Sequence, residues 1–229
     1  MTRDDVMPGD VMLKLNTGGL VGNIIGSSTQ SEYVHGGIAG QGTIYDVNGG
    51  LATDWINGKR LLPNIYRTSL EETSQLKTAY QVWRCIKTPI VNIVHREAAA
   101  FVAVGTQKRW NYNFHVVDRV ATRIVGNITA LAFGHNKTIG IDEKKLDNER
   151  LFIANGGSFV GAAKQTNRSF FCTEWIVWMY LLASYKAAQE GYRQGLELNI
   201  RPYEAIPKDL ARKLNDSPDF TAIGIIPPG

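Results

Sequence analysis

Cys172 is the side chain of this sequence best suited to nucleophilic chemistry. It stands at the start of the strongest helix pattern, which runs from residue 171 to about residue 189. The unpaired amide N–H groups and the positive dipole end of a helix start stabilise a thiolate. The alternative is a small buried residue packed at a helix start, and position alone favours it because free cysteines are among the most buried residue types. Cys85, inside a predicted strand, is expected in the core.

A thiolate nucleophile needs a basic partner, and His35 is the best placed of the four histidines. His35 lies on a predicted strand and is followed by Gly36 and Gly37, which let another segment or a substrate approach the backbone closely. A lone histidine on a strand is usually an ordinary polar residue. A third group that orients the imidazole is therefore needed to favour catalysis.

A predicted hairpin brings such a group within reach of His35. Residues 33–39 and 43–47 are two runs typical of strands, separated by a glycine-rich turn. If Gly40 and Gln41 form the turn, His35 falls directly opposite Asp46, with the two β-carbons about 5 Å apart. A carboxylate there would hold the ring in the tautomer that presents its other nitrogen to sulfur.

Other turns give His35 a different partner. A turn one residue later sets His35 opposite Asn48, and a three-residue loop sets it opposite Val47 with Asp46 on the other face. We favour Asp46 as the third member of the site and keep Asn48 as the alternative. A hairpin-end aspartate bonded to nearby backbone amides is an equally ordinary interpretation of the spacing.

The hydrophobic pattern predicts the elements that would position these residues. Strands are expected at residues 9–15, 33–39, 43–47, 79–86 and 220–226, and helices at residues 20–25, 91–104, 171–189 and from Pro207. Residues 116–169 combine a possible helix at 116–133, a polar stretch at 136–150 and a glycine-rich stretch at 156–161, and we interpret this segment as an insertion. The chain as a whole, residues 1–229, is expected to be one domain of the α+β class.

The composition is that of an ordinary globular domain. The chain has 229 residues, 44% of them hydrophobic, and a formal net charge of +4. Two cysteines 87 positions apart and scattered histidines predict no metal site and no cofactor. Basic residues alternate with acidic ones, which argues against nucleic-acid binding. The acidic N-terminus lacks the features of a Sec signal peptide, and the most apolar window, residues 170–183, is too short to span a membrane, so we expect a soluble protein that is cytoplasmic in its producer.

Several short motifs, taken in order, carry a family resemblance. They are Gly9-Asp10-Val11-Met12, Ser31-Glu32-Tyr33-Val34-His35-Gly36-Gly37-Ile38, Thr43-Ile44-Tyr45-Asp46-Val47, Arg109-Trp110-Asn111-Tyr112-Asn113-Phe114 and Phe171-Cys172-Thr173-Glu174-Trp175. This series resembles the YiiX-like, circularly permuted NlpC/P60 papain-like hydrolases over about residues 8–115 and 170–226. The resemblance implies an antiparallel sheet or small barrel packed against the helix that bears the nucleophile.

The resemblance also implies roles for individual residues. Cys172 would be the nucleophile, His35 the base and Asp46 the orienting acid of a Cys-His-Asp triad. For a second oxyanion donor or a substrate contact, the candidates are Tyr33 and Asn113. The sequence departs from the family at two positions: Gly36 stands where valine is common, and Thr173 stands where serine is common.

The function implied is that of a cysteine peptidase or amidase. By resemblance its substrate would be a peptide bond in the peptidoglycan stem, and a single domain without a wall-binding module is similar to antibacterial toxins delivered by type VI secretion into a target-cell periplasm. Such a toxin would need a carrier in the secretion apparatus and a cognate immunity protein. The alternatives are a lipid acyltransferase or thioesterase of the same superfamily and a catalytically inactive binding module.

Overall fold

The computed structural model describes residues 1–16, 31–48, 64–69, 79–105, 135–168 and 170–228. Their strands form one antiparallel sheet in the order β4-β3-β2-β1-β5-β6. The strands are β1 (Val11–Leu15), β2 (Tyr33–Gly40), β3 (Thr43–Asn48), β4 (Asn64–Ser69), β5 (Tyr80–Cys85) and β6 (Phe220–Ile226). The helices are α1 (Thr88–Gly105), α2 (His135–Ala154), α3 (Phe159–Gln165), α4 (Cys172–Gln189) and α5 (Pro207–Asp216). The predicted α+β class is confirmed.

Alternation along the strands divides the apolar residues between two faces of the sheet. On β1, Val11 and Leu13 belong to the main core, whereas Met12 belongs to a smaller cluster that includes Ile44 and Val82. The main core fills the space between one sheet face and the helices. The sheet therefore buries apolar side chains on both faces.

Helix α4 lies at the centre of the main core. Trp175, Trp178 and Leu182 are fully buried, and the Trp178 ring packs 4.8 Å from the ring of Phe170 and 5.7 Å from that of Phe101 on α1. A helix that is apolar on nearly all sides is expected to be buried on all sides. This packing fixes the position of the first turn of α4, which carries Cys172.

The strands and helices predicted within the described ranges are confirmed, with their predicted ends within about three residues of the observed ones. The predicted helices at 20–25 and 116–133 lie outside the described residues. Strand β4 was not predicted. The polar stretch at 136–150 forms helix α2, and the glycine-rich stretch leads into α3. In both, apolar residues such as Leu146, Ile153 and Phe159 join the main core, so this part of the predicted insertion packs with the rest of the domain.

Candidate active site

Cys172 is the first residue of α4, as its sequence context predicts. The preceding residue, Phe171, is extended and serves as the helix cap. The next residue, Thr173, is buried and its hydroxyl donates a hydrogen bond to the carbonyl of Ala205. Amide N–H groups in a first helical turn have no acceptor within the helix. The helix start is thus held in place, and its Thr173 N–H donates a hydrogen bond to the sulfur of Cys172, a residue that is only 5% exposed.

His35 and Asp46 form a direct contact between β2 and β3. Nε2 of His35 lies 2.8 Å from Oδ2 of Asp46, and their side chains are 18% and 7% exposed. The contact does not arise from the favoured turn at Gly40-Gln41, because the structure has the alternative turn one residue later. Gly40 pairs with Thr43, which places the turn at Gln41-Gly42.

The predicted placement of His35 directly opposite Asp46 is therefore wrong. Asp46 pairs with Gly37, and His35 reaches the carboxylate along the diagonal between the two strands. Diagonal neighbours on one sheet face lie within reach of a long or aromatic side chain. Gly42 has a φ of +65°, a conformation that favours glycine and that the chosen turn requires. The turn residues therefore set the register.

Gly37 makes this diagonal contact sterically possible. A β-carbon at Gly37 would lie 3.2 Å from the β-carbon of Asp46 and 2.7 Å from the carbonyl oxygen of Tyr45. Any side chain would push β3 away from β2 at the point where the carboxylate faces His35. Gly37 thus keeps Asp46 within hydrogen-bonding distance of His35.

His35 also faces Cys172, and each of these side chains favours the charged form of the other. Burial opposes charge on His35, but the thiolate of Cys172 and the hydrogen bond to Asp46 outweigh it and raise the pKa of His35 to about 10. Burial likewise opposes charge on Cys172, yet the adjacent His35 lowers the pKa of the thiol below its usual 9.0. An opposite charge at short range favours the charged form of both groups. The favoured state is a thiolate next to an imidazolium.

Two backbone amides complete the surroundings of the sulfur. Hydrogen bonds from the N–H groups of Gly36 and Thr173 also lower the pKa of Cys172. A β-carbon at Gly36 would lie 2.6 Å from Leu13 and 3.0 Å from Ile176 on α4. Only a glycine lets β2 approach α4 closely enough for this amide to reach the sulfur. Glycine at position 36 therefore has a packing reason.

The remaining candidates lie elsewhere. The ring of Tyr33 packs edge-on against Trp83 at 5.8 Å, and burial together with the nearby Glu32 raises the pKa of Tyr33 to about 12. Tyr33 also lines a neighbouring groove beside α5. Asn113 lies outside the described residues, and Asn48 ends β3. Of the candidates, the structure brings together Cys172, His35 and Asp46.

A buried ionic network lies behind the first turn of α4 and was missed by the sequence analysis. The guanidinium of Arg168, 2% exposed, lies 2.6 Å from Asp142 and from Glu149 and 3.5 Å from Glu174. The indole N–H of Trp178 donates to Glu149 at 2.8 Å. Glu174 was the available signal, because an acidic residue inside the most apolar window of the chain requires a buried cationic partner.

The described residues show neither a metal-binding cluster nor a membrane-spanning helix. No group of three or more His, Cys, Asp or Glu side chains in the described ranges is arranged to hold a metal ion. Within those same ranges, no helix is both long enough and apolar enough to cross a bilayer.

The chain matches no family model, and no curated protein matches it.

Proposed function

We propose that this protein is a cysteine hydrolase that cleaves an amide bond, with Cys172 as nucleophile, His35 as general base and acid, and Asp46 as the group that orients the imidazole. One observation carries the proposal: a buried thiol, an imidazole and a carboxylate from three separate elements are in consecutive contact. A nucleophile next to a base that is itself oriented by a third group is the general arrangement for covalent acyl transfer.

The chemistry follows from the charges at rest. The thiolate of Cys172 attacks the carbonyl carbon, and the negative charge moves to the carbonyl oxygen, where the N–H of Cys172 and a second donor stabilise it. Protonated His35 gives its proton to the leaving nitrogen as the C–N bond breaks, which leaves a thioester and a free amine. Neutral His35 then takes a proton from water, whose oxygen attacks the thioester and releases the acid and the thiolate.

The two ring nitrogens of His35 have different tasks in this mechanism. Nε2 contacts Asp46, so Nδ1 is the nitrogen that remains for Cys172 and the substrate. A carboxylate on one nitrogen fixes the ring plane and stabilises the imidazolium, without itself taking the proton. Asp46 therefore assists by orientation and charge.

The fold we propose is the permuted papain-like arrangement. In its support, the helix that begins with the nucleophile packs against an antiparallel sheet, and the base and acid lie on adjacent strands that precede that helix in the chain. In this order the histidine comes before the cysteine, as the resemblance implies. The spatial arrangement needs only that β2 meet the first turn of α4.

The substrate we propose is a stem peptide of peptidoglycan, and the role that of an antibacterial toxin delivered by type VI secretion. The family resemblance supports the substrate, and the net charge of +4 suits an anionic cell wall. A toxin of this kind requires an immunity protein in the producing cell and a carrier in the secretion apparatus.

The proposal is tested by incubating purified peptidoglycan with the wild type, Cys172→Ala and Cys85→Ala, and identifying the released fragments by mass spectrometry. We expect Cys172→Ala to lose at least about 10⁴-fold in rate and Cys85→Ala to retain activity. Asp46→Asn should lose less than Cys172→Ala, because orientation rather than the nucleophile is removed.

Other results would point to the alternatives. Identical digests from the wild type and Cys172→Ala would remove the cell-wall substrate. Cleavage of an acyl thioester by the wild type alone would then favour the thioesterase, and inactivity on both substrates would favour a binding module.

A further inference from the structure

A groove of about 420 Å³ lies between the start of β2 and one face of α5. We call it the α5 groove. The polar side chains that line it are those of Glu32, Tyr33, Lys208, Arg212, Asn215 and Asp216. Lys208, Arg212 and Asn215 follow a spacing of four and three residues, which places them on one helix face. Leu210 and Leu214, on another face of the same helix, are buried in the main core. Because α5 is anchored through those leucines, its groove face has a fixed direction.

One wall of the α5 groove is built on a part-buried hydrogen bond. The indole N–H of Trp83, which is 1% exposed, donates to Oδ1 of Asn215 at 2.8 Å. Because its oxygen accepts this bond, the amide nitrogen of Asn215 is left to donate elsewhere. The Tyr33 ring packs on the same Trp83. A buried tryptophan thus orients two polar side chains at the groove.

The charges in the α5 groove are separated along its length. Lys208 lies in the first turn of α5, where the helix dipole adds positive potential, and Arg212 lies about one turn further along the helix. Asp216 is the last residue of the helix, and Glu32 accepts a hydrogen bond from Tyr33 on the opposite wall. The Arg212 side chain is 65% exposed, and its ion pair with Asp209 at 3.5 Å is weak. The N-terminal part is therefore the cationic end.

That cationic end is the end nearest Cys172. Ala205, three residues before Lys208, accepts the hydrogen bond from Thr173, the residue next to Cys172. On the other wall, Tyr33 lies two residues before His35 in the same strand. Both walls of the α5 groove therefore continue directly into the residues around the thiol.

We propose that the α5 groove binds a peptide bearing a carboxylate, with Lys208 and Arg212 holding the carboxylate and Asn215 donating to a peptide carbonyl. The inference rests on the proposed function in taking Cys172 as the reacting thiol. Charged and amide side chains suit a polar peptide, because a lipid acyl chain would leave them desolvated and unpaired. The α5 groove is thus expected to favour a charged peptide over a lipid acyl chain.

The test uses two probes, N-iodoacetyl-alanyl-alanine with a free carboxylate and the same compound as the carboxamide. The thiolate of Cys172 displaces iodide from either probe and forms a thioether, so the assay needs no amide hydrolysis. Rates at Cys172 are measured by mass spectrometry and divided by the rate with iodoacetamide, which is too small to occupy the α5 groove. The variants are Lys208→Gln, Arg212→Gln and the double variant. Lys213→Gln is the control, since it removes a cation of the same helix that does not line this groove.

We expect the wild type to react about 10-fold faster with the carboxylate probe than with the carboxamide. Each single variant should reduce this preference about threefold, the double variant should abolish it, and Lys213→Gln should keep it. Equal wild-type rates for the two probes, or an equal loss in Lys213→Gln, would overturn the proposal. A preserved preference without peptidoglycan cleavage would reject the peptidoglycan substrate and leave the α5 groove proposal standing. Cleavage without any preference would overturn the α5 groove proposal and leave the proposed function standing.

Discussion

The two cysteines of this protein are equally buried, but the pKa of one thiol is raised and that of the other is lowered. Cys85, the last residue of β5, and Cys172, the first residue of α4, are each 5% exposed. Burial raises the pKa of Cys85 to about 11, and the nearby carboxylate of Asp219 adds to the effect. Burial acts in the same direction on Cys172, but the His35 imidazolium reverses it.

The exposed fraction of a thiol therefore does not by itself predict its reactivity in this protein. Desolvation disfavours a thiolate at both positions, so a low exposed fraction predicts an inert thiol in each case. What distinguishes Cys172 is the adjacent His35 imidazolium, held in place by Asp46, since a backbone N–H, that of Lys87, also donates a hydrogen bond to Cys85. A reactive buried cysteine therefore requires an arrangement contributed by other elements, which for Cys172 come from β2 and β3.

Between the two cysteines, the largest expected difference is in their alkylation rates below neutral pH. With a pKa of about 11, Cys85 has a thiolate fraction of about 10⁻⁵ at pH 6. The pKa of Cys172 is lowered, so its thiolate persists to lower pH than that of an ordinary thiol. We expect iodoacetamide at pH 6 to modify Cys172 at least about 10³-fold faster than Cys85, as measured by peptide mass spectrometry.

Under the proposed function, the same pKa shifts predict the pH range of hydrolysis, which a pH–rate profile measures. Activity should rise with pH through the lowered pKa of Cys172, as the thiolate forms, and fall through the raised pKa of His35 near 10, as the general acid loses its proton. In the alkylation experiment described above, equal modification of Cys172 and Cys85 at pH 6 would contradict the ion pair between Cys172 and His35.

His35→Asn should make Cys172 resemble Cys85. Without the imidazolium, burial dominates and the pKa of Cys172 should rise above the ordinary thiol value, so that alkylation at pH 6 falls on the order of 10³-fold. His95→Asn is the matched control, because His95 lies on α1 and its ring stacks on that of Tyr45, with the ring centroids 6.3 Å apart. A full pH profile of Cys172 alkylation is the measurement. If both variants lowered the rate equally, the loss would reflect a general disturbance of packing.

The sequence was sufficient to predict most of the elements within the described ranges because their signals are local. The apolar period of α4 and the alternation in β1, β2 and β3 are set by neighbouring residues. Strand β4 was missed, and it is identified by its pairing with β3 at the edge of the sheet. Helix α2 was interpreted as a polar stretch, since its stabilisation comes partly from Asp142 and Glu149 pairing with Arg168.

The members of the site could be predicted, but their geometry could not. The residue types and the helix start pointed to Cys172, and the strand and hairpin pointed to His35 and Asp46. The register depended on whether Gly40 or Gly42 took the turn position that favours glycine, and the sequence has a glycine at both places. Local sequence therefore left three registers open, one of them with a three-residue loop, and the observed one keeps the His35–Asp46 contact only through the diagonal and the absence of a side chain at Gly37.

The smallest effect is expected from Gly36→Ala, which tests how closely β2 must approach α4. The added β-carbon would lie 2.6 Å from Leu13 and 3.3 Å from Thr173, and overpacking of this kind costs about 1–3 kcal/mol. Because the Gly36 amide would also move away from the sulfur, alkylation of Cys172 should slow about threefold to tenfold. Gly195→Ala is the control, since a β-carbon there meets nothing within 4 Å. Urea unfolding and alkylation at pH 6 give the two readouts, and a loss of stability with an unchanged Cys172 rate would show that Gly36 serves packing alone.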